Sequence, residues 1–134
     1  MALVLPDAAE DLILQNFFNK TAPQNQTLKL FKSNTTPGEG DIAATYTEAD
    51  FTGYVAISLT GASWTITPGA PTAAAAAQQT FSSSADQAAQ SVYGYYIVQA
   101  VSGLLMFAER FTDGPYTIAN NGDQIKITPQ FTMA

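Results

Sequence analysis

The sequence predicts a mainly β fold, a β-sandwich or barrel of about eight short antiparallel strands with an N-terminal α-helix. Turn signals separate the apolar segments at intervals of roughly 8–12 residues, which is the spacing typical of such folds. The 134 residues are 46% hydrophobic, enough for one buried core. Helical spacing of apolar residues occurs at the N-terminus. We therefore expect residues 1–22 to form a helix or arm and residues 23–134 to form one β-sandwich domain.

The N-terminal segment carries the signals of a helix. Asp7 follows Pro6 and can cap the first amides, and Glu10 suits the positive end of the helix dipole. Pro23 ends the segment. The apolar residues at helical spacing are Ala9, Leu12, Ile13, Leu14, Phe17 and Phe18. They cover more than half of the circumference, so the helix either packs on a sheet of its own chain or is an arm that docks on a neighbouring subunit.

Beyond Pro23 the pattern becomes strand-like. The predicted strands lie at Leu28–Phe31, Tyr54–Leu59, Trp64–Ile66, around Phe81, in Val92–Phe111, at Tyr116–Ile118 and from Ile125 to Phe131. Thr47 is expected to cap a single helical turn. Residues 68–77 contain two prolines followed by five alanines, which indicates a loop or a loose edge strand. Asn120–Asp123 contains Asn-Gly, which predicts a hairpin turn.

The segment Val92–Phe111 is the most informative in the chain. It predicts two strands joined across Ser102-Gly103, and both faces of these strands are apolar. A strand with one wet face would alternate apolar and polar residues. We therefore expect this hairpin to be covered on both sides, by the fold or by another protein.

Composition excludes several classes of function. The net charge is −6 and the five basic residues are scattered, whereas nucleic-acid binding needs clustered cations. The chain has no cysteine and no histidine, which removes disulfides, thiolate metal sites and Ser-His-Asp or Cys-His catalysis. No apolar run approaches the ~20 residues of a membrane span, and none resembles a signal peptide. We expect no nucleic acid and no membrane as partners.

Two acidic pairs are the remaining catalytic candidates. They are Glu48 with Asp50 and Glu39 with Asp41. A glycosidase needs two carboxyl groups at a defined separation across a cleft, and neighbouring acids in a loop do not imply that geometry. The oxygen donors that could bind calcium are Glu39, Asp41, Asn120, Asn121 and Asp123, but the calcium-loop pattern is absent and a turn explains the last three. We predict a protein that is not an enzyme and holds no cofactor and no metal.

Aromatic residues allow one further binding function. A β-sandwich can bind carbohydrate through exposed rings, and the candidates are Trp64, Tyr93, Tyr95, Tyr96 and Tyr116. The alternative is that these residues belong to the core, because tyrosine and tryptophan are common in strands.

The composition favours a role in an assembly. Charged residues make up only 12% of the chain, and interface cores are depleted of charge. The residues predicted to form interfaces are Leu12, Ile13, Phe17 and Phe18 of the helix, with Tyr95, Tyr96, Leu105 and Phe107 of the hairpin.

Several segments resemble small virion proteins of tailed bacteriophages. The segments are LKLFKSN with the following Thr-Pro, TEADFTGY, the central Trp64, QQTF, VYGYY, LLMFAERF and NGDQIKITPQF. The resemblance covers most of residues 27–132 and is strongest at Thr47–Tyr54 and Val92–Phe111. Some proteins of this kind are cement or decoration proteins that clamp neighbouring capsid subunits.

The resemblance implies a location and a partner. It implies a β-rich domain on the capsid exterior, forming a homo-oligomer (a dimer or trimer) and binding the major capsid protein. The alternative function is a tail- or fibre-associated module that binds cell-surface glycan.

Overall fold

The computed structural model describes residues 3–133 and confirms the mainly β fold class. Strands make up 38% of the chain and helix 13%. The described residues form the helix α1 (Asp7–Phe17) and eleven strands: β1 (Gln26–Phe31), β2 (Ile57–Leu59), β3 (Trp64–Thr67), β4 (Thr72–Ala76), β5 (Gln79–Ser82), β6 (Gln90–Val92), β7 (Gly94–Gln99), β8 (Leu105–Arg110), β9 (Tyr116–Ile118), β10 (Gln124–Ile127) and β11 (Gln130–Met133). The strands pack as a sandwich-like arrangement of several sheets, without a closed barrel in this part of the chain.

The largest sheet has the strand order β2-β1-β7-β8, and all of its neighbours are antiparallel. Strand β1 is paired along both edges. Its first half pairs with β2, and its second half pairs with the extended segment at Glu48. The amide of Lys32 donates to the Thr47 carbonyl, and the amide of Ala49 donates to the Leu30 carbonyl. The helical turn predicted after Thr47 is therefore wrong, because this segment bonds to β1 instead.

Both faces of the β7–β8 hairpin are buried, as its sequence predicts. Tyr95 and Ile97 belong to one core cluster with Leu28 and Leu30 of β1. Tyr96 and Val98 point to the opposite face and belong to a second, smaller cluster. All six residues of β7 are buried. The covering comes from the chain's own strands and loops.

A three-stranded sheet with the order β11-β4-β3 lies beside the main sheet. Its central strand is Thr72–Ala76, in the segment where the sequence indicated a loop or a loose edge strand. Backbone pairing with both β3 and β11 makes the segment the middle of a sheet. Strands β10 and β5 form a two-stranded sheet, and β6 and β9 form another.

The Asn120–Asp123 turn joins strands of different sheets. The sequence predicts a hairpin here, but β9 pairs with β6 and β10 pairs with β5. Gly122 has a φ of 88°, which fits the turn chemistry of Asn-Gly. The turn is local and was predictable, whereas the pairing of its flanking strands is decided by distant segments.

Helix α1 packs against the outer edge of the main sheet. Val4, just before the helix, exchanges backbone hydrogen bonds of 2.9 and 3.1 Å with Ala108 of β8. Ala9 and Leu12 are buried against the sheet. Asp7 does not cap the helix as expected, because it is the first helical residue and Pro6 occupies the cap position without a side-chain hydrogen bond.

Candidate functional site

The acidic residues Glu48 and Asp50 bond to lysines of β1 and of the residue after it, and so attach their own extended segment to that strand. Glu48 accepts from Lys29 Nζ and from the Tyr54 hydroxyl, both at 3.0 Å. Asp50 accepts from Lys32 Nζ at 2.7 Å and from the Gln90 amide at 2.6 Å. The hydrogen bond from Lys32 lowers the pKa of Asp50, which keeps this carboxylate ionised and unsuited to donate a proton. Each acid has its own cationic partner.

The loop oxygens that were candidates for calcium also have internal roles. Asp41 accepts from the Tyr46 hydroxyl at 2.6 Å and from the Gly38 amide at 2.8 Å. Asp123 accepts from the amides of Ala119 and Asn120, both at 2.8 Å, and these bonds lower its pKa. Across residues 3–133 no three acidic side chains gather in a geometry that fits a metal ion.

The aromatic residues considered for sugar binding do not share a face. Tyr95 and Tyr96 are buried on opposite sides of β7. The Tyr93 ring stacks under the Arg110 guanidinium, whose carbon lies 5.1 Å from the ring centre. Tyr116 donates a hydrogen bond to Asp113, and Trp64 lies in a different sheet. These five aromatic residues therefore form no row of exposed rings on which a sugar would stack.

An apolar groove of about 450 Å³ opens between α1, β8 and the three-stranded sheet. We call it the apolar groove. It is lined by Leu5, Ile13, Gln26, Gly61, Trp64, Ile66, Ala74, Met106, Phe107, Phe131 and Met133. Its volume is within the range of small-molecule and side-chain pockets in proteins.

Alternation along short strands builds the groove. In β3, Trp64 and Ile66 point to the groove while the threonines between and after them point away. In β11, Phe131 and Met133 likewise point to the groove. The register places Ile66, Ala74 and Phe131 side by side across the three strands. Because Ala74 is small, the middle of the sheet is recessed between larger neighbours.

The aromatic rings of the groove pack against one another. Phe107 of β8 lies between the other two rings, with centroid distances of 6.4 Å to Trp64 and 5.9 Å to Phe131. Gln26 supplies a polar side chain to the lining, and none of the lining residues is charged. The Oε1 atom of Gln26 is buried and has no hydrogen-bond partner among the described residues. The groove thus suits an apolar group.

Two exposed phenylalanines stand beside the groove at the end of α1. Phe17 is 79% exposed and Phe18 is 65% exposed. Their rings are 5.1 Å apart and meet edge to face at 84°. We call Phe17 and Phe18 the ring pair. Phe17 is one helical turn after Ile13, which lines the groove, so the ring pair and the groove are adjacent.

The end of the helix fixes the position of the ring pair. Asn19 adopts a left-handed conformation with φ of 56°. Its amide donates to the Asn16 carbonyl at 3.1 Å, and the Lys20 amide donates to the Gln15 carbonyl at 2.8 Å. These two bonds form a Schellman motif, which closes the last turn and terminates the helix. The rings are therefore held on ordered backbone.

The predicted interface residues divide into two groups. Ile13, Phe17 and Phe18 lie at the apolar groove or beside it. The remaining five are buried within the chain: Leu12, Tyr95, Tyr96, Leu105 and Phe107. The fold itself covers Leu12, Tyr95, Tyr96 and Leu105, and their contact with a partner stays a prediction. Phe107 is also buried, but its ring forms part of the groove lining.

The sequence pattern did not point to several of the groove residues. They are Leu5, Ile66, Ala74, Met106, Phe131 and Met133. The alternation of Trp64 with Ile66 and of Phe131 with Met133 was a usable signal for two apolar strand faces. Nothing local indicated that these faces lie next to α1.

No model of a known protein family matches the chain, and no curated protein sequence matches it significantly. Among the described residues, no helix combines the length and the apolar character needed to cross a bilayer.

Proposed function

We propose that this chain is a non-enzymatic structural protein of a bacteriophage virion, a cement or decoration protein that binds the major capsid protein on the capsid exterior and stabilises the shell. The observation that carries the assembly role is the open apolar surface formed by the apolar groove and the ring pair. The phage setting comes from the resemblance of Thr47–Tyr54 and Val92–Phe111 to virion proteins.

Burial of apolar surface would supply the adhesion. A buried aromatic or aliphatic side chain contributes roughly 1.5–3 kcal/mol relative to its exposed state. The groove lining is uncharged, so little desolvation of charge opposes contact. Many copies on one shell act together, because bonds formed by linked sites reinforce one another. Weak contacts per copy would thus add up to a shell that resists internal pressure.

The test compares shells with and without the protein. Shells lacking it are prepared, the purified chain is added back, and rupture is followed by heating and by exposure to a chelator. We expect the chain to bind the shells and to raise the rupture temperature. Shells that rupture at the same temperature and chelator concentration with and without the protein would contradict the proposal.

A glycan array with the same purified chain distinguishes the cement function from the alternative, a tail- or fibre-associated module that binds glycan. The cement proposal expects shell binding and no sugar binding. Sugar binding without shell binding would favour the tail- or fibre-associated module instead.

A further inference from the structure

We infer that the apolar groove receives the ring pair of a second copy of this chain, and that the exchange is reciprocal, giving a closed two-fold dimer. The inference rests on the proposed function in one respect, since it takes the same apolar surface to be an interface. It names the partner of that surface. Its test uses the chain alone in solution, so it succeeds or fails independently of shell binding.

The relative position of the two features favours a closed dimer. Phe17 follows Ile13 by one helical turn, so the protruding ring and the receiving groove lie on one continuous patch. A two-fold contact uses the same patch on both copies. If the ring pair and the groove were on opposite sides of the chain, the contact would propagate into a filament. Their adjacency lets each copy insert its rings while it receives those of the other.

The exposed area also favours a reciprocal contact. An aromatic side chain buries roughly 150–250 Å², so the ring pair at its observed exposure offers about 200–350 Å² per copy. One-sided insertion, counting rings and groove, would bury roughly 400–700 Å², which is the size of a crystal contact. Reciprocal insertion doubles this to about 800–1,400 Å², and the upper part of that range reaches the lower limit of specific interfaces, about 1,200 Å².

Charge determines where two copies can meet. Each copy has a net charge of −6, and like charges placed opposite one another in an interface are unfavourable. The apolar groove contains no charged side chain, and both residues of the ring pair are neutral. Two copies can therefore bury this surface without burying a charge.

The experiment measures association of the purified chain by sedimentation equilibrium. We expect a species of twice the chain mass of 14.2 kDa for the wild type. The variant F17S/F18S should associate at least ~30-fold more weakly, the loss typical of one interface hot spot. Both side chains are exposed, so circular dichroism and the melting temperature of the dissociated chain should stay unchanged. V101S is the matched control, because Val101 is 86% exposed and does not line the apolar groove, so the substitution should leave the dimer intact.

A second variant alters the receiving groove instead of the inserted rings. A74F places a ring in the recess between Ile66 and Phe131 and leaves the ring pair in place. It should also associate at least ~30-fold more weakly than wild type. Trp64 is the only tryptophan of the chain and lines the groove, so its emission should shift to the red when the wild-type dimer is diluted. The shift should be absent in F17S/F18S, whose groove is already open to solvent.

Several results would overturn the inference. They are a wild-type chain that stays monomeric at roughly 100 μM, a trimer mass, an F17S/F18S variant that dimerises like wild type, or a V101S variant that loses the dimer equally. A monomeric wild type whose shell binding is lost in F17S/F18S would identify the capsid protein as the occupant and would overturn the dimer alone. A dimer that fails to bind shells would overturn the proposed function and leave the dimer standing.

Discussion

Gly94 determines how closely three strands approach at the start of β7. It pairs with Arg110 on one side and with Phe31 on the other. A Cβ atom built at this position would collide with the Glu109 carbonyl oxygen and would lie 2.5 Å from Cζ of Phe31. The collision involves backbone and a fully buried ring, neither of which can move freely. The missing side chain is therefore a packing requirement of the main sheet.

We expect Gly94→Ala to lower the free energy of unfolding by about 3 kcal/mol, the upper end of the usual cost of overpacking a core. The measurement is urea unfolding followed by circular dichroism. Gly40→Ala is the matched control, because a Cβ atom added there would have no neighbour within 4 Å and its φ is not in the left-handed region. The control should stay within about 0.5 kcal/mol of wild type. Equal stability of the two variants would show that the strands have room for a methyl group.

The helix end is the element on which the ring pair depends. Asn19 provides the left-handed residue that closes the Schellman motif. Alanine in this conformation costs roughly 1–2 kcal/mol, whereas glycine adopts it without steric cost. The last turn, which contains Phe17, should therefore respond differently to the two substitutions.

We expect Asn19→Ala to destabilise the chain by about 1 kcal/mol and to weaken the dimer, because the last turn frays and the rings lose their fixed position. Asn19→Gly should remain within about 0.5 kcal/mol of wild type and keep the dimer. Thermal unfolding and sedimentation equilibrium measure the two effects. A glycine variant that dissociates as readily as the alanine variant would assign the Asn19 side chain, rather than its backbone, a direct role in the contact.

The sequence predicted those elements whose signal is local. The hairpin of β7 and β8 was predictable, because apolar residues on both faces of a strand require cover on both faces. The central position of β4 was not predicted, because its second partner, β11, comes from a distant part of the chain. The prolines and the helix preference of alanine argued against a central strand there, and pairing overrides such local preferences.

The candidate site was only partly predictable for the same reason. The excess of apolar residues on α1 left open whether the helix packs on its own sheet or docks on a neighbouring subunit, and in the structure Phe17 and Phe18 are exposed. The apolar groove takes its lining from the helix, β3, β4, β8 and β11. Which of these strands meet is decided by tertiary packing, so periodicity within one segment could not indicate the groove.

On the scale of the whole molecule, the core lies on both sides of one sheet and contains buried tyrosines on each side. Tyr95 belongs to the larger cluster, and Tyr46 and Tyr96 belong to the smaller one. Tyr54 packs against the larger cluster. Burial raises the pKa of all four phenol groups, and the carboxylate of Glu48 adds to the effect at Tyr96, whose pKa rises to about 12. The folded state therefore requires neutral phenols at these four positions.

This requirement predicts loss of stability in alkaline solution. Below pH 10, the ordinary pKa of tyrosine, both the folded and the unfolded chain keep these protons, and stability should not depend on their titration. Above pH 10 the unfolded chain loses protons that the folded chain retains, so the free energy of unfolding falls. For Tyr96 the fall continues to about pH 12 at roughly 1.4 kcal/mol per pH unit.

We expect Tyr96→Phe to remove the part of this alkaline destabilisation that comes from Tyr96. The free energy of unfolding of the variant should therefore fall less steeply than that of wild type between pH 10 and about 12. Urea unfolding at a series of pH values measures the difference, and at pH 8 the curves should differ only by a constant offset. Both chains should carry F17S/F18S, so that dissociation of the dimer does not add to the pH dependence. Parallel curves above pH 10 would show that Tyr96 ionises as easily in the folded chain as in the unfolded chain. The smaller cluster would then be open to water, and its cover of the hairpin would be incomplete.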